Sequence, residues 1–328
     1  MSLLRAIAAA TAAELCAAGA ALAVVGLFGG INGWCDVAAQ FAPVWLAISA
    51  VGALLAWFGL KGIGGRIGVI ALALIGLASS AALIAPELVR RIPAWRGAPP
   101  PRPLTLVTFN VWNDNIAPGA TVDTILKEGA DVVAIQEKYG LDGAPIARLR
   151  AAFPYSAYCA PGCGVEMLSR RPWTSKGIQA DPDSAPDEAI WGVTTAPDGA
   201  PVEIATTHLS WPLPPGEQQR RRAALVEAVK QLQRPDLVLT GDLNLAPWSW
   251  ALRGLDAALR PLVRRDRALF TWPANIARID RPAPFAVLPI DHVYAGPAWQ
   301  TVEARRLSRS GSDHYGLRVV LARATPAG

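Results

Sequence analysis

Charge is scarce in this chain. Only 17% of its residues are Asp, Glu, Lys or Arg, while 52% are apolar, which rules out an ordinary soluble protein along the whole length. Cysteine is limited to four residues with no CxxC pair, which excludes the usual structural zinc sites. Acids are nearly missing from the N-terminal third: residues 1–102 hold three (Glu14, Asp36, Glu87) against seven bases. That leaves 24 of the 31 bases and 23 of the 26 acids to residues 103–328, so this larger part is close to neutral. It lacks the basic excess of a dedicated nucleic-acid-binding domain, although a local basic patch stays open. Histidine is the rarest titratable group, with three copies: His208, His292 and His314. All three sit at the ends of apolar runs, where a surface filler would be scattered.

What is abundant is apolar length. Three runs, Ile7–Leu27, Ala38–Leu60 and Ile67–Ile84, approach the ~20 residues that cross a hydrocarbon core of about 30 Å. Short polar or glycine-rich breaks separate them. The first run is expected to be a membrane span rather than a cleaved signal peptide, because it is longer than a signal's apolar core and two more runs follow. Glu14 lies inside the first run and reads as a side chain that snorkels or meets a neighbouring helix. The sequence therefore predicts a membrane domain of three transmembrane helices over residues 1–95, a proline linker over 96–103 and a second domain over 104–323. Eight linker residues in the extended proline conformation reach about 25 Å, which holds the second domain near the bilayer.

Orientation rests on conflicting charges. Arg5, Lys61 and Arg66 mark cytoplasmic ends for the start and the second loop, yet two spans separate them. Arg90, Arg91, Arg96 and Arg102 would hold the segment after the third span inside. Cys159 and Cys163, around a Pro-Gly turn, can close a small disulfide, which favours an oxidising compartment. On that ground the second domain is expected on the outer face.

From Leu104 onward short β-rich runs alternate irregularly with helical stretches. Strands are expected at Leu104–Asn110, Asp131–Glu137, Val165–Ser169, Val202–Thr207, Leu237–Thr240, Val287–Val293 and Leu317–Ala322. Helices are expected at Thr121–Glu128, Pro145–Ala152 and Glu217–Gln233. Two packed sheets with helices outside fit this pattern as well as one wound sheet. Polar residues collect at the strand ends: Asn110, Glu137, His208, Asp242, Asn244, Asp291, Asp313 and His314. Taken singly each could be a turn or cap residue, but together they describe the lining of a cleft.

Their types point to metal-assisted attack on a phosphate ester. Glu137 is a hard oxygen ligand suited to Mg²⁺. Asp242 can orient or deprotonate water. Asn110 and Asn244 can donate amide hydrogens to phosphate oxygens without adding charge. His314, oriented by an acid such as Asp291, can act on the phosphate or on a proton in flight.

The motifs Thr108-Phe109-Asn110-Val111-Trp112, Ile135-Gln136-Glu137, Thr207-His208-Leu209, Gly241-Asp242-Leu243-Asn244, Ile290-Asp291-His292 and Ser312-Asp313-His314-Tyr315 together resemble the endonuclease/exonuclease/phosphatase superfamily. That family includes DNase I-like nucleases, apurinic endonucleases, neutral sphingomyelinases and inositol-phosphate 5-phosphatases. The resemblance covers residues 103–323 and implies an α/β four-layered sandwich (DNase I-like) behind the membrane helices. It implies Glu137 as ligand of Mg²⁺, with Mn²⁺ as substitute, Asp313 supporting the metal, and Asp242 positioning the water. It further implies Asn110 and Asn244 as phosphate binders and His208 and His314 as groups that neutralise the transition state or protonate the leaving group. Asp291 would orient His314. His292 stands where relatives often carry an aromatic, and Glu166 where they carry a small apolar residue, which leaves its role open.

The architecture is also similar to bacterial membrane-associated phosphatases linked to teicoplanin resistance. That implies a multi-pass protein of the bacterial inner membrane acting on a membrane lipid or a lipid-linked phosphate or pyrophosphate such as the undecaprenyl carrier. Trp211, Trp248 and Trp250, in apolar loops after the catalytic strands, suit a bilayer interface. The rival is a nuclease, with Arg220-Arg221-Arg222 and Arg264-Arg265-Asp266-Arg267 against backbone phosphates. A non-catalytic binding role is a third reading, disfavoured by the intact motif acids.

Overall fold

The computed structural model describes residues 3–60, 63–98, 100–159, 163–179, 189–232, 235–276 and 281–324. Lys61, Pro99, Pro161, Gly162 and Gln233, which enter the expectations above, lie outside them. The chain divides into two compact units, residues 1–90 with Ala246–Gly254, and Arg91–Leu245 with Leu255–Gly328.

The first unit holds helices α1 (Leu3–Leu27), α2 (Gly33–Gln40), α3 (Ala42–Gly59) and α4 (Ile63–Val89). Three of them are long and apolar enough to cross a membrane: Ala6–Leu27, Ala42–Gly59 and Gly65–Val89. Small residues let them approach closely. A Cβ on Gly19 or Gly76 would lie 2.2 Å from the Ser49 hydroxyl, the close packing that membrane helices favour. Glu14 is on an exposed face of α1.

Two expected boundaries are corrected here. The second span does not start at Ala38. Residues 33–40 form a separate short helix, capped at its start by the Asn32 side chain on the Trp34 N–H. The helix restarts at Ala42 because Pro43, in the first turn of α3, has no N–H to give and would clash inside a continuous helix. The third span runs on past Ile84 to Val89 and carries Pro86 within it.

In the second unit the strands are β1 (Leu104–Asn110), β2 (Val132–Gln136), β3 (Tyr155–Tyr158), β4 (Glu166–Ser169), β5 (Ser175–Gln179), β6 (Ala189–Thr195) and β7 (Pro201–His208). They continue with β8 (Val238–Asp242), β9 (Val263–Arg264), β10 (Asn275–Ile276), β11 (Arg281–Pro282), β12 (Asp291–Ala295), β13 (Trp299–Arg306) and β14 (Leu317–Arg323). One six-stranded sheet has the order β13-β14-β1-β2-β4-β3, the other β5-β6-β7-β8-β12-β9, with β10 and β11 as a separate pair. Both sheets are mixed: β1–β2 and β7–β8 run parallel, and the other pairs in these two sheets are antiparallel.

Side-chain alternation decides what faces what. Leu104 and Leu106 of β1, Val132 and Ala134 of β2, Val202 and Ile204 of β7, Val238 of β8 and Val293 of β12 share one core cluster between the sheets. The opposite face of the first sheet, Val107, Phe109, Val133 and Ile135, packs with Val122, Ile125, Leu149 and Phe153. Those last residues come from or border helices α5 (Pro118–Leu126) and α6 (Ala144–Ala152). Helix α7 (Pro215–Leu232) follows β7, and α8 (Trp250–Ala258) follows β8. The two-sheet alternative is thus realised as the layered DNase I-like core.

The expected strand Val287–Val293 is corrected to Asp291–Ala295. Pro289 cannot donate to a ladder, and the N–H groups of Val287 and Leu288 instead meet the Trp272 carbonyl in a loop. Residues 93–95, before the proline run, are already tied to the sheet edge: Thr301 N–H donates to Pro93 O and Trp95 N–H to Thr301 O.

Candidate active site

The inward face that supplies the core also supplies the site. Extending the same alternation by one step past Thr108, Ala134, Thr206, Thr240 and Val293 reaches Asn110, Gln136, His208, Asp242 and Asp291. The apolar core therefore ends in polar groups at one end of the sheets. Just below them Gln136 donates to Thr108 Oγ1 (3.3 Å) and Thr206 Oγ1 (3.0 Å), a polar rung linking the two sheets.

Asp242 is the centre. In the sheet register it stands beside His208 of β7 on one side and Asp291 of β12 on the other. Its Oδ2 accepts from Asn110 Nδ2 at 2.9 Å and lies 3.5 Å from His208 Nε2 and 3.6 Å from His314 Nε2. Asn110 Nδ2 donates its second hydrogen to Glu137 Oε1, also at 2.9 Å, and Glu137 Oε2 accepts the Asn113 N–H. His208 Nε2 is 3.9 Å from Glu137 Oε1. His314 Nδ1 meets Asp291 Oδ2 at 2.8 Å. One donor atom each from Asp242, Asp291 and His314 falls within 4.8 Å of the others.

Backbone strain marks the same place. Among the described residues four that are not glycine have positive φ, and three of them, Trp112 (59°), Glu137 (54°) and Asn244 (51°), belong to these motifs. Such conformations persist only where surrounding bonds hold them. Trp112 N–H donates to Asn110 Oδ1 at 3.0 Å, and Asn244 N–H to Asp242 Oδ1 at 2.9 Å. Gly241 (φ 144°) is required because a Cβ there would lie 1.9 Å from the Thr207 carbonyl oxygen.

Burial and charge tune the groups. Burial and the Asp291 charge push Asp242 up to about 6, against the opposing pull of His314, His208 and Asn110. For His314 burial disfavours the charged ring, but Asp291 and Asp242 outweigh it and lift the ring to about 10. Burial also raises Asp313, opposed by His314 and by its bond from Trp272 Nε1 (3.0 Å). The Oδ1 atoms of Asp291 and Asp313 are buried and have no hydrogen-bond partner among the described residues. A carboxylate oxygen left this way fits a cation. The partly open Glu137 carboxylate is a further hard oxygen donor of the kind a divalent ion takes, while the group whose donor atoms meet within 4.8 Å is Asp242, Asp291 and His314.

The structure thus brings Asn110, Glu137, His208, Asp242, Asp291 and His314 together. Asn244 touches Asp242, but its Nδ2 donates mainly to Leu209 O at 2.8 Å. His292 points away from the site: Nδ1 meets Asp266 Oδ2 and Nε2 meets Leu245 O, both at 2.8 Å. Glu166 is a structural acid, buried and paired in two bonds with Arg150 (3.0 and 2.7 Å).

Two expected surfaces are corrected. Arg264 and Arg265 are 2% and 1% exposed. Arg264 binds Asp256, and Arg265 binds the Ala295 and Gly296 carbonyls, so neither can reach a nucleic-acid or lipid phosphate. Trp248 is 1% exposed and donates to Gln40 O at 2.5 Å, so it is not an interfacial ring. Trp250 keeps partial exposure but gives its indole N–H to Gly26 O.

Sequence reading left Ser312 and Trp272 without a role. Ser312 Oγ donates to Asn110 O (2.7 Å) and accepts the His314 N–H. A serine two residues before a site histidine is a readable signal for such a turn. Trp272 lies 41 residues from Asp313, and nothing in the pattern links them.

The profile of the Endonuclease/Exonuclease/phosphatase family matches residues 107–314. Among solved structures, an endonuclease/exonuclease/phosphatase from Beutenbergia cavernae is 21% identical over 68% of this chain and 72% of its own, with a TM-score of 0.53. The TDP2 of D. rerio, complexed with a single-strand DNA product, is 17% identical over 67% of this chain and 99% of its own (TM-score 0.53). Sphingomyelinase C from Streptomyces griseocarneus is 20% identical over 66% and 99% (TM-score 0.50). No curated protein matches the chain by sequence.

Proposed function

The chain belongs to the Endonuclease/Exonuclease/phosphatase family, whose members are phosphoric ester hydrolases, and from that premise we propose that it hydrolyses a lipid-linked phosphate or pyrophosphate at a membrane surface. The observation that carries this reading is the presence, on the same chain, of three helices of 22, 18 and 25 residues with membrane-spanning hydropathy. A lipid substrate shares that surface, and attachment raises its effective concentration. Likeness to a sphingomyelinase and to a DNA-bound TDP2 is compatible with either lipid or nucleic acid. The burial of Arg264 and Arg265 weakens the nuclease alternative, since it leaves only Arg267 of that basic patch partly exposed to meet a phosphate backbone.

Glu137 and Asp313 would hold a Mg²⁺ ion, or Mn²⁺ in its place. Bound there, the ion supplies Lewis-acid polarisation of the phosphoryl oxygens. Asp242 orients the attacking water, its carboxylate fixed by Asn110 and by the Asn244 N–H. Asn110 and Asn244 would give amide hydrogens to the phosphate by exchanging the acceptors those hydrogens have in the described structure, Asp242, Glu137 and Leu209 O. The His314 ring, held at Nδ1 by Asp291, presents Nε2 on the Asp242 side. There it and His208 offset the charge that develops in the transition state and supply the leaving-group proton.

The linker over 96–103, the multi-pass placement in a bacterial inner membrane and an outward-facing catalytic domain complete the reading. The Cys159–Cys163 disulfide supports the outward placement. The test sets vesicles containing undecaprenyl pyrophosphate against supercoiled plasmid, each with Mg²⁺ and purified full-length protein. Phosphate release without nicking is expected. Nicking that disappears in Asp242→Asn would make the nuclease reading the better one.

A further inference from the structure

The sheet that carries Asp242 holds a second aspartate–histidine pair, one residue along β12 from the first. Asp291 and His292 are neighbours on that strand, so their side chains leave opposite faces of the sheet. Asp291 Oδ2 meets His314 in the site, while on the other face His292 Nδ1 meets Asp266 Oδ2 at 2.8 Å. The second ring nitrogen of His292, Nε2, meets the Leu245 carbonyl, also at 2.8 Å. A carboxylate and a carbonyl both accept, so each ring nitrogen donates. The ring is fully buried, as is Asp266. Asp266 is held in turn: its Oδ1 accepts the Val293 N–H at 2.9 Å, and its Oδ2 lies 3.7 Å from Arg264 Nη1. All of these residues belong to the second unit.

Leu245 is the residue after the motif Asp242-Leu243-Asn244. The register sets His292 opposite Gly241 and Asp291 opposite Asp242, where β8 ends. From there the chain is tied bond by bond. Asp242 O accepts the Leu209 N–H at 2.9 Å, and the Leu243 N–H donates to Ile290 O at 3.0 Å. The Asn244 N–H donates to Asp242 Oδ1 at 2.9 Å, while Asn244 O accepts only a long bond, 3.4 Å, from Gln218 Nε2. The carbonyl of Leu245 then receives the short bond from His292. It stands one residue from Asn244, whose φ of 51° is a conformation that must be held from outside.

We infer that His292 and Asp266 are positioning residues for the catalytic motif Asp242–Asn244: His292 fixes the Leu245 carbonyl, and Asp266 fixes the ring that does so. This rests on the reading of Asp242 and Asn244 as catalytic. Its consequence is that β12 serves hydrolysis from both faces of the sheet, with Asp291 orienting His314 on one and His292 holding the turn after Asp242 on the other. Misplacing a reacting group by about 1 Å costs on the order of 10²-fold in rate.

The test uses full-length protein in detergent, as wild type, His292→Phe and His292→Gln. Turnover is measured with Mg²⁺ and the soluble diester bis-p-nitrophenyl phosphate, and backbone hydrogen exchange is followed at Leu243 and Asn244. Phe fills the space of the ring but donates nothing. For His292→Phe a fall in kcat of roughly 10- to 100-fold is expected, with KM little changed and faster exchange at both amides. Gln keeps an N–H for the Leu245 carbonyl, so His292→Gln is expected between His292→Phe and wild type on both readouts. Should His292→Phe fail to fold, the double variant Asp266→Leu/His292→Phe, which replaces the buried ion pair by apolar side chains, carries the same expectation. A ring that only fills the core would leave kcat of the Phe variant within about twofold of wild type and exchange at Leu243 and Asn244 unchanged, and that result would overturn the inference. A wild type with no turnover would count against the catalytic reading, while the exchange at these two amides would still decide the positioning role.

Discussion

Asp242 and His314 face each other across 3.6 Å, both buried, and share the Asp291 charge. That charge lifts both groups, Asp242 to about 6 in company with burial and His314 to about 10 in spite of it. For Asp242 to orient water it must be ionised, and for His314 to offset phosphate charge it must be protonated. Activity is therefore expected to rise with pH through about 6 and to fall through about 10. Asp291→Asn removes the shared lifting charge, so both limbs of the profile should move to lower pH. Replacing the charged partner of Nδ1 by a neutral amide should also lower kcat roughly 10²-fold. A kcat profile at saturating Mg²⁺ checks this, and an alkaline limb that stays in place in the variant would refute the pairing.

A second buried set sits beside the first and acts on structure. Burial alone would raise Asp266, but His292 and Arg264 outweigh it and hold its carboxyl down to about 2. A depressed folded value means stability that is fully present above the unfolded value of about 3.9 and lost as pH falls through about 2, on the order of 2 kcal/mol. The melting temperature of the detergent-solubilised protein should drop between about pH 4 and pH 2. In Asp266→Asn it should start lower and lose most of that slope. An equal slope in both proteins would show that other carboxylates carry the acid sensitivity.

At the scale of elements, strand alternation made most of the site legible. β1 and β14 fall within a residue of expectation because apolar residues recur at every second position, Leu104 and Leu106 in the one and Leu317, Val319 and Leu321 in the other. The site residues stand where the inward face of such a run ends. Strand β12 was misplaced because Leu288 and Ile290 flank Pro289, which a hydropathy pattern does not weigh against them. Strands β3, β5, β6, β9, β10, β11 and β13 are not among those the pattern predicts: β9, β10 and β11 are two residues each, and Tyr155–Tyr158 and Trp299–Arg306 lie partly exposed at sheet edges with too few buried positions to show a period. Helix α8 is hidden by Trp250 and by Gly254, which lowers helix propensity, and its first turn depends on Asp36, more than 200 residues earlier. Glu166 could not be assigned from its own neighbourhood because Arg150, its partner, lies on α6.

For the molecule as a whole, the claim is that three apolar helices and a hydrolase unit on one chain serve a lipid-borne phosphate. Orientation is one testable part of it. A C-terminal alkaline phosphatase fusion in a bacterial host should be active and a green fluorescent protein fusion dark, as expected of an outward domain with a disulfide at Cys159–Cys163. The reverse pattern would place the domain inside. The most direct test is phosphate release from undecaprenyl pyrophosphate by detergent-purified full-length protein, with EDTA, with Mg²⁺ or Mn²⁺ restored, and with Asp242→Asn alongside. Release that stops with EDTA, returns with either metal and falls at least ~10³-fold in the variant is the predicted result. Folded protein that releases no phosphate from this lipid, or releases it equally well with Asn at position 242, would contradict it.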